Sequence, residues 1–147
     1  MTLYSFKDLT GAFVHPLGTY IFGGGDQQGF GELQIEMATE RTDVAKSADG
    51  SIMMSYIAGD NGSITVKAQQ TSDVHAFFLN TFNACKTAAD SGSVGLWAAG
   101  MFTARNLIDG SMHTCTGVTF SKVPPKVYGE KGQDISWMFL CAKIISE

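Results

Sequence analysis

Charge is scarce in this chain. Only 16% of its 147 residues are Asp, Glu, Lys or Arg, against about 25% in an average soluble domain. The balance is mildly acidic, net −4. That speaks against sequence-independent nucleic-acid binding, which rests on neutralising phosphates. Proline and cysteine are rare, with three residues each. Cys85, Cys115 and Cys141 lie far apart and form no disulfide framework, and no CxxC or Cys/His zinc spacing accompanies them. His113 and Cys115 would share a strand face, but two ligands do not make a metal site. No metal and no cofactor are expected. No apolar run approaches the roughly 18–20 residues of a membrane span. The first residues have neither a basic nor an apolar signal region, so no membrane anchor and no secretory leader is expected. Long polar tracts are missing too, which argues against disorder. The length fits one domain, residues 1–147, with a buried core. Low charge in such a domain implies that much of its surface meets other protein.

What is present reads mostly as β. Residues 13–22 are rich in aromatic and β-branched side chains and stop at Gly23-Gly24-Gly25. The next stretch alternates clearly. Glu32, Gln34, Glu36 and Glu40 fall on one face, and Leu33, Ile35 and Met37 on the other, which predicts a strand with a polar side and a core side. Residues 41–50 are polar and end in Asp49-Gly50, so a loop-like insertion is expected there. Residues 51–58 predict a strand, Asp60-Asn61-Gly62 a hairpin turn, and residues 63–69 a returning strand. On that last strand Ile64, Val66 and Ala68 point inward and Thr65, Lys67 and Gln69 outward. The period then changes. Val74, Phe77, Phe78, Thr81, Phe82 and Cys85 recur at helical spacing, with Ser72 or Asp73 as cap and Gly92 beyond the end. His75 lies off this stripe. Residues 94–106, 112–122 and 135–145 read as further strands, the last apolar on both faces and in need of cover on its second side. The expected fold class is mainly β, a β-sandwich or small barrel of roughly seven or eight strands with one amphipathic helix.

Signals for catalysis are missing. The Gly-rich residues 23–31 lack the GxGxxG spacing and precede a strand, not a helix. His15, His75 and His113 fall on a turn, a helix and a strand, and no GxSxG elbow occurs. Glu32 and Glu36 on one strand are about 13 Å apart, beyond the gap of about 5–10 Å that a glycosidase pair needs. No catalytic residue is assigned, and the chain is not expected to be an enzyme.

The opening Tyr4-Ser5-Phe6-Lys7-Asp8-Leu9, the early Gly-rich turn and the block of residues 31–62 resemble the tail tube proteins of contractile-tailed phages. The order and length of the whole chain agree with that family. The resemblance implies a tail-tube-like β-sandwich, related in fold to type VI secretion and pyocin tubes. It implies homohexameric rings that stack into a hollow tube and a virion location reached by assembly in the host cytoplasm. Two long hairpins per subunit would feed a continuous inner barrel. The partners it implies are further copies of the chain, the tail sheath protein, the tape measure protein, the baseplate hub and the tail terminator, with genome DNA passing through the lumen unbound. On this reading Glu32, Gln34, Glu36, Glu40, Thr65, Lys67 and Gln69 are the lumen-facing candidates. Arg41, Asp43, Lys46 and Asp49 are the inter-ring loop candidates. The rival reading is a β-sandwich module that binds a ligand or carbohydrate through exposed aromatics, with Trp97, Tyr128 and Trp137 as candidates.

Overall fold

The structure is a computed structural model that describes residues 3–5, 8–22 and 30–147. Residues 23–29 of the Gly-rich turn, and Phe6 and Lys7 of the opening motif, lie outside the described residues. The strands are β1 (Leu9–His15), β2 (Gly18–Phe22), β3 (Phe30–Met37), β4 (Thr42–Lys46), β5 (Ile52–Tyr56) and β6 (Gly62–Gln69). A helix, α1 (Asp73–Asp90), and a 3₁₀ turn (Val94–Leu96) follow. Then come β7 (Gly100–Asn106), β8 (Met112–Phe120), β9 (Asp134–Cys141) and β10 (Lys143–Ser146). The described residues thus hold ten strands, more than the sequence pattern separates. Two arise where a turn or a bulge divides a run, since His15 to Gly18 closes the β1–β2 hairpin and Ala142 interrupts the last apolar run; a third, β4, lies where a loop was expected.

One sheet runs in the order β2-β1-β7-β8-β9-β6-β3, with β10 also on β8. It folds over on itself at Gly117. There φ is +65°, a conformation that favours glycine, and a Cβ would press on Ala142. On one side of this corner β8 pairs with β10, on the other with β9. Both halves turn their apolar side chains inward. Phe13, Phe102, Phe120, Trp137 and Phe139 are buried between them, with Ile64 and Val66. Phe139 lies at the centre, its ring 5.0 Å from those of Phe78 and Phe120 and 5.4 Å from that of Phe13.

The helix forms where its period predicts. Ser72 caps it and accepts from the His75 N–H, and Gly92 follows at φ +99°. Phe77, Phe78 and Phe82 pack on Phe13, Phe139 and Phe120, so the helix lids the space between the two halves. No helix among the described residues is long and apolar enough to cross a membrane.

His75 is the exception on this helix. It is buried, its Nδ1 accepting from Trp137 Nε1 at 3.0 Å. That bond leaves the imidazole proton on Nε2, which has no partner. Burial, aided by the charge of Lys126, holds the His75 pKa below the ordinary value of 6.5. Below pH 6.5 the unfolded chain therefore takes up a proton that the folded chain refuses, so stability falls as the pH drops through that value. We expect the thermal midpoint to fall between pH 7.5 and pH 5.5. In His75→Gln, which keeps an acceptor for Trp137 but does not titrate, that fall should be smaller. Equal slopes in the two proteins would refute the assignment.

The region between β3 and β6 departs most from the sequence reading. β5 does not pair with β6, and Asp60-Asn61-Gly62 is not a hairpin turn. Instead β3 pairs with β6 and β4 with β5. The chain makes one long antiparallel hairpin in two segments, not two separate hairpins. The expected loop at residues 41–50 is mostly the strand β4. Its tip turns at residues 47–51, where Ser51 N–H donates to Asp49 and Gly50 adopts φ +91°. The base is a hinge. Ala38 N–H donates to Asn61 C=O, Ile57 N–H to Arg41 C=O, and Arg41 is paired with Asp60. A Cβ at Gly62 would strike the Glu36 carbonyl and Ile144, so glycine is needed there for close packing and not for turning.

Candidate functional site

Two surfaces hold the sequence-nominated residues. The first is the outward face of β3, β6 and β9. Register sets Glu32 beside Lys67 and Ser136, Gln34 beside Thr65 and Met138, and Glu36 beside Ser63 and Leu140. The Lys67 ammonium lies 3.3 Å from the Glu32 carboxylate. Gln69 pairs with Asp134 at the end of the same face. Glu32, Gln34, Glu36, Thr65, Lys67 and Gln69 thus share one surface, as their alternation predicts. It carries three carboxylates, Glu32, Glu36 and Asp134, against the one ammonium of Lys67. Glu40 is not part of it. β3 ends at Met37, so Glu40 sits in the hinge, where strand alternation no longer applies.

Sequence reasoning missed the contribution of β9. That strand looked apolar on both faces, yet it alternates: Ile135, Trp137, Phe139 and Cys141 are buried, whereas Met138 and Leu140 are exposed. The helix covers its buried face, not its second one. Met138 and Leu140 therefore lie in the open beside Thr65 and Ser63.

The second surface is the β4–β5 hairpin, called the arm below. Every residue of both strands is exposed. Val44, Ile52, Met53, Met54 and Tyr56 are among them, with Tyr56 at 79%. Asp43, Lys46 and Asp49 lie on the arm and its tip, and Arg41 at its base. Hydrogen bonds from Ser47 and from the Ser51 backbone lower the Asp49 pKa to about 2, so the tip stays negatively charged. A lone two-stranded hairpin is marginal in water, and apolar residues on such an arm need cover that the described residues do not provide.

Elsewhere the chain offers little for bond chemistry. Cys85 Sγ does lie 3.4 Å from His15 Nε2, a nearness the sequence did not signal. Yet His15 Nδ1 already accepts from Leu17 N–H at 3.0 Å, and Nε2 reaches Leu96 C=O at 2.7 Å. The ring has no lone pair left to take the thiol proton, and burial pushes the Cys85 pKa up. Among the described residues no cluster of three or more His, Cys, Asp or Glu could hold a metal ion. The three aromatics of the carbohydrate reading do not meet either. Trp137 is fully buried, Trp97 packs on Phe82, and Tyr128 is exposed.

A family model described as the bacteriophage PhiTE tail tube protein matches residues 1–146. This chain belongs to the phage tail tube family. It is a structural subunit of a tail tube and a component of the virion tail. No curated protein matches it. Its fold is similar to several solved structures at very low identity. One is the sheath/tube terminator of the extracellular contractile injection system PVC in its extended state. That match has a TM-score of 0.62 and 8% identity, and covers 100% of this chain and 98% of the other. A second is from the sheath–tube complex of the same system, with a TM-score of 0.56, 8% identity, and 97% and 90% of the two chains covered. A third is the tube-terminating cap of the anti-feeding prophage, with a TM-score of 0.55, 7% identity, and 100% and 92% covered. At such identities these likenesses bear on the fold alone. Membership of a structural tube family accords with a non-enzymatic role.

Proposed function

We propose that this tube subunit acts as a single domain that closes homohexameric rings, and that the rings stack through the arm into a rigid conduit. The exposed apolar arm carries this reading. It has no cover among the described residues, and a repeating contact with a neighbour supplies one. A protruding element that seats on a different surface of the next copy makes a heterologous contact, which closes into rings or propagates into a tube. β2 and β3 stand at the two ends of the sheet. Joining the end strand of one copy to that of the next hides strand edges that would otherwise invite aggregation.

The outward face of β3, β6 and β9 lines the lumen in this proposal. Its carboxylate excess repels phosphates, so genome DNA slides through without sticking. The exposed Met138 and Leu140 soften that acidic lining beside its centre. The tape measure protein fills the lumen during assembly in the host cytoplasm. The sheath surrounds the tube of a contractile tail, and the baseplate hub and tail terminator close its ends. Arg41, Asp43, Lys46 and Asp49 act as parts of the inter-ring connector, which is a two-stranded arm and not a loop.

Electron microscopy of the purified chain tests the assembly. Six-fold rings and hollow filaments are expected, whereas a monodisperse monomer at high concentration refutes the reading. For the lumen, Glu36→Lys should preserve the tube and slow DNA delivery, because a ring of new ammonium groups attracts the phosphates that the native face repels. Unchanged delivery would remove Glu36 from the lining.

A further inference from the structure

Two exposed patches at opposite ends of β8 match each other in shape of charge and in apolar content. One is the turn between β7 and β8, residues 107–111. Leu107 and Ile108 are each more than half exposed there, and Met112 stands open beside them. Asp109 sits at the tip, where the Ser111 N–H donates to its carboxylate at 2.8 Å and keeps it charged. Glu147 exchanges backbone hydrogen bonds with Met112, and the Asp8 carbonyl accepts from Leu107 N–H. This end therefore gathers three acidic residues, Asp8, Asp109 and Glu147, against Arg105, which pairs with Met112 in the sheet.

The other patch is the strap of residues 121–133, which joins β8 to β9 with neither helix nor strand. Runs of this length without structure of their own are uncommon in a compact domain and usually carry function. Pro124 is buried and anchors the strap, and its other residues are exposed. Residues 122–132 make no backbone–backbone hydrogen bond among the described residues. Val123, Val127 and Tyr128 are its apolar part, with Tyr128 at 80% exposure. Its charges are Lys122, Lys126 and Lys131 against Glu130. No charged group of either patch is in an ion pair among the described residues. The nine residues of β8 hold the two patches apart, so one copy does not bring them together.

We infer that the β7–β8 turn of one copy seats on the β8–β9 strap of another, in a contact separate from the arm. The inference deepens the proposed tube reading and rests on it. The turn offers apolar groups ringed by carboxylates, and the strap offers apolar groups ringed by ammonium groups, so each supplies what the other lacks. The pairing joins two different surfaces of the same chain and is therefore heterologous and repeatable. It also has a direction. Turn against turn would set carboxylates together, and strap against strap would set lysines together, and like charges so placed are costly.

Charge reversal in the full-length chain tests this. Lys122→Glu with Lys131→Glu, and Asp109→Lys with Glu147→Lys, should each keep the thermal midpoint of the free subunit. Each pair should lower the yield of sedimentable tubes at least about tenfold, since it sets like charges against each other. The chain with all four changes has both patches reversed and should recover tubes to near the native yield. Normal tubes from either pair, or no recovery in the fourfold variant, would overturn the inference. Cross-linking identifies the surfaces. The three native cysteines are buried, so Ile108→Cys supplies the thiol that takes a benzophenone maleimide. Tubes grown from a mixture of ¹⁵N-labelled and unlabelled subunits are irradiated and digested. Peptides of mixed label that join residue 108 to residues 121–133 are expected. Cross-links to any other surface, or none, would refute the contact. If the unaltered chain forms no tubes, the tube reading fails and takes this inference with it. If it forms tubes and the probe meets another surface, the tube reading stands and only this contact is lost.

Discussion

Replacing residues 42–56 with an Asn-Gly turn is expected to leave a folded subunit that no longer makes tubes. The arm touches the rest of its chain mainly at the hinge. The core residues Phe13, Phe102, Trp137 and Phe139 all lie outside the deleted stretch. The thermal midpoint should therefore change by no more than a few degrees. Assembly should fail altogether, because the deletion removes the apolar surface that neighbouring copies cover in the proposed tube. Circular dichroism and calorimetry check the first part, and sedimentation with negative-stain microscopy the second. Tubes of normal length from the shortened chain would show that the arm is dispensable. Loss of the folded state would show that it is part of the core.

The second large effect concerns Phe139. Its side chain is fully buried, and its ring meets Phe78 edge-on and Phe13, Phe102 and Phe120 at a tilt. Those partners come from β1, α1, β7 and β8, so one ring joins both halves of the sheet and the helix. Phe139→Ala should cost about 3–5 kcal/mol, the usual price of an aromatic deletion that leaves a cavity. A domain holds only about 5–15 kcal/mol in all, so a sizeable unfolded fraction is expected at 37 °C. Denaturant titration measures this directly. For comparison, Leu140→Ala, one residue on and exposed on the outer face, should change stability by well under about 1 kcal/mol. A similar loss in both variants would contradict the inward and outward assignment of β9.

How much of this was legible beforehand depends on whether burial imposed a period. Ile64, Val66 and Ala68 alternate with Thr65, Lys67 and Gln69 because β6 has one wet face and one dry one, and that strand is plain in the sequence. The same holds for α1, whose phenylalanines repeat at helical spacing because one side of it faces the core. β4 was not legible, since both its faces are exposed in the single subunit and Thr42 to Lys46 therefore show no alternation. β9 was misread for the opposite reason. Met138 and Leu140 are apolar although they are exposed, so composition hid a pattern that the structure shows clearly. Asp60-Asn61-Gly62 misled because a hinge that packs closely and a hairpin that turns tightly both favour small and Asx residues. His75 resembled a surface residue because a buried imidazole with a tryptophan donor leaves no mark in a hydropathy pattern. The polar face of β3 and β6 was therefore read correctly up to Met37, and Glu40 was lost where the strand stops.

The hinge has a mechanical consequence. In the proposed tube, a push or pull delivered through the arm reaches the sheet through the two strands of backbone at residues 38–41 and 57–61. Both strands are anchored at the base and joined at the tip, so a load along the arm is shared between them in parallel. The Arg41–Asp60 ion pair ties the two strands together at that base. If the arm connects rings as proposed, their alignment is set at this two-strand joint, before any contact at the tip.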